Sequence, residues 1–279
     1  MPTFDFYRFQ LLPSSQTQQY LFEETYSADE IREKKNIFFN TVLNNELKFE
    51  HKEYSLNQTK NKLDEDLYLI KIAAYKLIDR ENENFEKEKI PNWPSVSIII
   101  DNAPENQTIF ISRNQKAFSN TRIVAKILEN SLNRYLFSFG LTIQIRETYD
   151  KNNFWNLIER HPKKVTRVRF EMVAPNMANI SKALKLDLKK LNRESNCQNV
   201  NLSLNSLPTT SLEIDKDDEL IAGCVEYSSE GGGDIAVKIK GIRKEIRVSD
   251  TVRTLEIEEL SIKMLNRELL ELLSLNKND

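Results

Sequence analysis

Residues 165–173, VTRVRFEMV, alternate in a manner that only an extended strand satisfies. Successive side chains of a strand point to opposite faces, so Val168, Phe170 and Met172 share one side and Arg167, Arg169 and Glu171 the other. Such a segment demands a sheet with one face in a core and the other in water. The surrounding stretch adds a constraint of charge. Between Arg160 and Arg193 stand ten basic residues, Arg160, Lys163, Lys164, Arg167, Arg169, Lys182, Lys185, Lys189, Lys190 and Arg193, against Glu171 and Asp187 alone. The whole chain carries a formal net charge of −2, so the bias is local. Beyond the strand, Pro175 and Asn176 turn the chain into an expected helix. Ile180, Leu184, Leu188 and Leu191 form its buried stripe, and Lys182, Lys185, Lys189 and Arg193 recur at spacings of three and four on the other side.

The remaining segments mix both periodicities. The first, TFDFYRFQ, reads as a strand covered on both sides, with Phe4, Phe6 and Arg8 on one face and Asp5, Tyr7 and Phe9 on the other. Ser27 and Glu30 have the spacing of a capping box ahead of Ile31, Phe38, Phe39, Val42 and Leu43. Residues 47–56 read as a polar strand and 67–78 as a β-rich run, followed by an acidic arm over 79–89. Pro91 and Pro94 around Trp93 suggest an extended connection near 85–94. Residues 96–100 and 109–111 are expected to form a hairpin through the turn-forming Asn102, Pro104 and Asn106. Ser119 is expected to cap a helix carrying Ile123, Val124, Ile127, Leu128, Leu132, Tyr135, Leu136 and Phe139, ended by Gly140. A strand over 141–145 and a short helix around Phe154 and Trp155 complete the approach to the basic stretch. Strands are expected at 200–204, 212–214, 235–239 and 246–257, with a helix start at Asp215 and Asp218. Leu260, Met264, Leu265, Leu269, Leu272 and Leu273 give the closing amphipathic helix.

These readings predict an α+β fold with a mixed or antiparallel sheet and helices mainly on one face. A smaller N-terminal part, residues 1–90, is expected before a main domain, residues 91–279. At 39% hydrophobic content the 279 residues can bury an ordinary core, and no apolar run reaches the roughly 18 residues of a membrane span. The start lacks the pattern of an export signal, so a cytoplasmic location is expected. Cys197 and Cys224 are too few for a disulfide framework and read as reduced thiols. With only His51 and His161, a histidine-rich metal site is excluded.

Few motifs suggest chemistry. The acidic run 213–219 could in principle gather a divalent cation for phosphodiester cleavage, but helix capping explains it better. Asp101, near Glu105 and Lys116, has a spacing faintly like that of a divalent-metal nuclease site, but the turn explains Asp101, Asn102 and Pro104 without a metal. Gly231, Gly232 and Gly233 lack the context of a phosphate-binding loop and read as a flexible hairpin connection. His161 has no paired acid for general-base work. No cofactor is expected. The basic stretch is the feature left to carry function, because lysines and arginines on one face neutralise a polyanion and release its counterions. A solvated charged face is the bland alternative. The expected phosphate contacts are Lys163, Lys164, Arg167, Arg169, Lys182, Lys185, Lys189 and Arg193, with a second cluster of Lys238, Lys240, Arg243, Lys244 and Arg247 adding to them if the two lie side by side. Tyr149 and Trp155 are the nearest aromatics that might stack a base, with Trp155 better read as core.

Over residues 109–177 the order of features is a strand, the segment NQKAF ending at Phe118, a long helix ending LNRYLFSFGL, then NNFWNLI and a strand closing in VAPN. It resembles uncharacterised bacterial proteins of unknown function carried among anti-phage defence genes. The resemblance implies a biological setting and no catalytic residue. The leading expectation is a non-enzymatic nucleic-acid-binding or sensing component of a bacterial defence system, with DNA or RNA as partner. The alternatives are a metal-dependent nuclease and a subunit that assembles with a partner or with itself through residues 260–275.

Overall fold

A computed structural model of the chain describes residues 3–14, 27–173, 195, 197–250 and 254–256. The fold is α+β, built on antiparallel sheets. Two compact units are assembled from separate stretches: residues 1–5, 36–135 and 254–279 form the first, residues 6–35 and 136–253 the second. Strand β1 (Thr3–Pro13) and helix α1 (Ala28–Asn44) each run from one unit into the other. The expected helices over 176–193 and 260–273 lie outside the described residues.

In the first unit, strands β2 (Leu56–Lys62), β3 (Leu67–Ala74), β6 (Ser95–Asp101) and β7 (Thr108–Ser112) follow one another across a sheet that continues through the start of β1 to β13 (Thr254–Glu256). The inner strands are near-continuous apolar runs because both their faces are covered. Leu69, Ile70, Ile98, Ile99, Ile100, Ile109 and Ile111 are all buried. The hairpin expected over 96–111 is present, with Ile100 opposite Ile109. Its turn is more than a turn. Asn102, fully buried, donates from its amide to Asn36 O and Asn40 Oδ1, while Asn36 Nδ2 donates back to Asn102 O, fastening α1 to the hairpin. Helix α2 (Thr121–Leu136) presents Val124, Ile127, Leu128 and Leu132 to the core.

Several sequence readings of this unit are corrected. Residues 47–55 are irregular, and the strand begins only at Leu56; there the Gln58 side chain both donates to Leu47 O and accepts from Phe49 N, supplying contacts a ladder would otherwise provide. The run 67–78 breaks at Tyr75 into β3 and β4 (Lys76–Glu81). The latter pairs with β5 (Lys87–Asn92), so residues 85–94 belong to a hairpin arm and not to an extended connection. Asn120 caps α2 in place of Ser119, its Oδ1 accepting from Ile123 N at 3.1 Å.

The second unit contains a four-stranded sheet in the order β10 (Asn199–Asn205), β9 (Val165–Val173), β11 (Gly233–Ile239), β12 (Ile246–Arg247). Its apolar face, with Val168, Phe170, Met172, Ile235 and Val237, packs in one core with Phe154 and Trp155 of α3 (Asn152–Arg160) and with Cys224, Val225 and Tyr227 of α4 (Glu219–Tyr227). Residues 7–13 of β1 pair antiparallel with β8 (Leu141–Glu147), Arg8 opposite Arg146. The capping box is formed: Ser27 N donates to Glu30 Oε2 at 2.8 Å and Glu30 N to Ser27 Oγ at 3.2 Å, so the Glu30 carboxyl is held below its usual range, first by the backbone amide. Gly140 takes the left-handed conformation, φ 63°, and closes the 3₁₀ turn Phe137–Phe139 that follows α2.

Three expectations for this unit are revised. Residues 212–214 form no strand, although Leu212 N donates to Val165 O at 2.7 Å. The long strand over 246–257 is the short β12, a single turn at Val248–Asp250, and β13 in the other sheet. Gly231, Gly232 and Gly233 are buried, and a Cβ at Gly233 would lie 2.2 Å from Glu171 O. The glycines therefore permit close packing of a π-turn, Ser228–Gly232, against β9, and are not a flexible link.

Candidate nucleic-acid interface

Strand β9 is central in its sheet, so each outward residue meets neighbours on both sides. Arg167 stands opposite Asn205 and Lys238, Arg169 opposite Ser203 and Ala236, and Glu171 opposite Asn201 and Asp234. The β11–β12 hairpin adds Arg247, opposite Ala236, and Glu245 just before it. The result is a ladder of alternating charge. Arg167 pairs with Glu245 at 3.3 Å; Arg169 bridges Glu245 at 2.9 Å and Glu171 at 3.0 Å; Arg247 contacts Glu171 at 3.0 Å and also Asp234. Hydrogen bonds that Arg247 donates to Asp234 and then to Glu171 raise its pKa above its already high value. Three guanidinium groups thus face three carboxylates, and Arg167 and Arg169 are engaged by the chain's own acids. Lys238 is also engaged, its Nζ donating to the carbonyls of Ile242 and Arg243 at 2.8 and 2.7 Å and so fixing the hairpin turn.

The end of the same sheet differs. Lys163 and Lys164 lie in the turn between α3 and β9, and Lys240, Arg243 and Lys244 in the turn between β11 and β12. The two turns are joined: Lys240 N donates to Lys164 O at 2.8 Å. All five side chains are exposed, and none forms an ion pair with a described carboxylate. Lys163 is held with φ 56°, a left-handed position that tightens its turn. The two basic clusters, seventy-odd residues apart in sequence, therefore meet at one sheet end. Lys182, Lys185, Lys189 and Arg193 lie outside the described residues. Tyr149 and Trp155, only 2% and 7% exposed, are core residues and offer no face to a base.

The other candidates resolve structurally. Asp218 caps α4, accepting from the amides of Leu220 and Ile221 at 2.9 and 3.0 Å. Asp101 accepts from Ala103 N and Asn106 Nδ2 within its turn. Among the described residues no three His, Cys, Asp or Glu side chains converge to hold a metal. In the first unit a surface depression is lined by Glu50, His51, Lys52, Glu53, Asn130 and Arg134; Arg134, then Lys48, hydrogen-bond Glu50 and lower its carboxyl pKa. His161 ends α3, its amide donating to Ile158 O.

Sequence reasoning did not single out Arg8 or Gln10 for a site; with Asp5 they are the polar residues of a largely apolar first strand, and that is the signal that could have found them. No family model matches this chain, and no curated protein and no solved structure matches it.

Proposed function

We propose that the protein is a non-enzymatic nucleic-acid-binding component, of the bacterial defence setting that its sequence resemblance implies. One observation carries the reading: five exposed cations from two turns, Lys163, Lys164, Lys240, Arg243 and Lys244, occupy one end of the second unit's sheet, none of them in an ion pair with a described carboxylate. Unpaired surface cations release counterions from a phosphate backbone, whereas arginines already paired gain little by exchanging one anion for another. Lys163 and Lys164 therefore lead the phosphate contacts. Arg167 and Arg169 take a supporting part, and Lys182, Lys185, Lys189 and Arg193 are further proposed contacts on the strength of the sequence alone.

The test is affinity for a double-stranded DNA and a single-stranded RNA at fixed salt. Replacing Lys163, Lys164 and Lys240 together by Glu should weaken binding about a hundredfold or more. Arg169→Gln should change it by only a fewfold. Unchanged affinity in the triple variant overturns the reading.

A further inference from the structure

The pairing of β3 with β6 and of β4 with β5 is one uninterrupted register, from Leu67 opposite Asp101 to Glu81 opposite Lys87. Its neighbours stop short: β2 pairs with β3 only as far as Ala74, and β7 with β6 only as far as Ile98. Beyond those points the hairpin continues as an arm of two strands, and among the described residues no strand pairs with either outer edge of β4 or β5. Two strands alone are marginally stable in water, and an unpaired edge is a template for another strand. The arm also holds apolar side chains in water. Tyr75 and Trp93, in ring contact at 5.2 Å, are 39% and 44% exposed, and Leu77 and Ile78 are 54% and 41% exposed.

Backbone bonds at either end of the arm show which groups face outward. Ala74 N donates to Pro94 O at the base and Asn82 N to Glu86 O at the tip, both at 3.0 Å, whereas Tyr75 N donates away from the arm, to Ser55 O. Bonded pairs recur at every second residue of an antiparallel ladder. The even-numbered residues therefore bond within the arm, and Leu77, Asp79 and Glu81 of β4, with Lys87, Lys89 and Pro91 of β5, turn their backbone groups outward. These six share one face, with Leu77 opposite Pro91, Asp79 opposite Lys89 and Glu81 opposite Lys87. Pro91 lacks an N–H at a position where an edge strand tolerates its loss.

The two edges complement each other. When β4 of one molecule lies antiparallel to β5 of a second, in the register used inside the arm, Asp79 meets Lys89, Glu81 meets Lys87, Arg80 meets Glu88 and Ile78 meets Ile90. Every outward amide finds a carbonyl, and only the donor that Pro91 lacks is missing. An edge paired with its own copy fits worse. A two-fold axis at Asp79 sets carboxylate against carboxylate, and one at Ile78 sets Lys76 against Arg80. An axis at Lys89 sets ammonium against ammonium, and one at Ile90 doubles the gap left by Pro91.

We propose that the β4–β5 arm is a self-association surface, on which β4 of one molecule pairs with β5 of a second copy of this chain. Each copy uses one edge and leaves the other open, so the contact is head-to-tail and does not close at two copies. It does not rest on nucleic-acid binding.

Sedimentation velocity of the full chain at concentrations up to about 1 mM tests it. The average mass should rise with concentration and pass that of a dimer. Asp79→Pro removes an outward amide that bonds to nothing within the arm, so it should weaken association about tenfold or more and leave the melting temperature unchanged. Lys89→Glu should weaken association through charge. Adding Asp79→Lys to it should restore association of the double variant with itself, but not its co-assembly with the parent chain. A parent that stays monomeric, a mass that levels off at a dimer, or association indifferent to Asp79→Pro and Lys89→Glu would each overturn the proposal. Where Asp79→Pro lowers the melting temperature, the charge variants decide by the same criteria. The Lys163, Lys164 and Lys240 variant should associate as the parent does, so the two readings fail independently.

Discussion

At the scale of single residues, the second unit's core sets both stability and reactivity. Phe170 of β9 is fully buried against α3, in ring contact with Phe154 at 6.2 Å. Phe170→Ala should cost about 3–5 kcal/mol, read from the urea midpoint. Gly233→Ala should be nearly as damaging, because the new methyl would meet a backbone oxygen that no rotamer change can move. Cys224 is fully buried, and burial, aided by Asp218, pushes its thiol up to about 11 from 9.0. The native thiol should therefore resist alkylation at pH 8 and react once urea unfolds the chain, which mass spectrometry of the labelled peptide reads directly. The same shift has a thermodynamic sign. Below pH 9 the thiol is protonated whether folded or unfolded; between 9 and about 11 only the unfolded chain ionises, so stability falls as pH rises through that window. Tyr149 and Tyr227, both raised by burial, extend the loss to higher pH. Cys224→Ala should flatten the first part of the slope of urea midpoint against pH.

At the scale of elements, two local devices hold separate parts in place. The Ser27–Glu30 box satisfies amides at the start of α1 that no intrahelical carbonyl can reach, and Ser27→Ala should cost about 1 kcal/mol in denaturant unfolding. The charge ladder on the outer face of β9 is the second device. Arg169 sits between Glu171 and Glu245, and all three side chains are roughly one-third exposed. A double-mutant cycle of Arg169→Ala and Glu245→Ala should give a coupling of about 1 kcal/mol that shrinks with added salt. A coupling of zero would reduce the ladder to incidental surface contacts. On the proposed reading the ladder makes this face the weaker phosphate contact despite its arginines, because an arriving phosphate must compete with carboxylates already in place.

At the scale of the whole molecule, net charge misleads. The chain carries 40 basic against 42 acidic residues and has a pI near 6.0, yet five exposed cations at the sheet end form no ion pair with a described carboxylate. Attraction to a polyanion depends on that local field, within a Debye length of about 10 Å at 0.1 M salt. If five cations each meet a phosphate, log affinity should fall against log salt with a slope of about −4 to −5 for duplex DNA. A slope near zero would mean that the sheet end makes no phosphate contacts.

Much was determined by the sequence alone. Strand β9 and its two faces follow from alternation, α1 from its capping box, the end of α2 from Gly140, and the helix start at Asp218 from its carboxylate, because each depends on residues a few positions apart. The α+β class follows from the sum of such local signals. What depends on distant partners was decided only by the tertiary structure. Glu245 and Asp234 neutralise Arg167, Arg169 and Arg247 because strand register brings them opposite. Lys163 and Lys164 meet Lys240 through one antiparallel pairing, and Gly231–Gly233 are closely packed because Arg8, Tyr227 and Glu171 crowd them. Charge and burial are properties of neighbours in space, and a linear sequence does not specify those neighbours until the sheet assigns them.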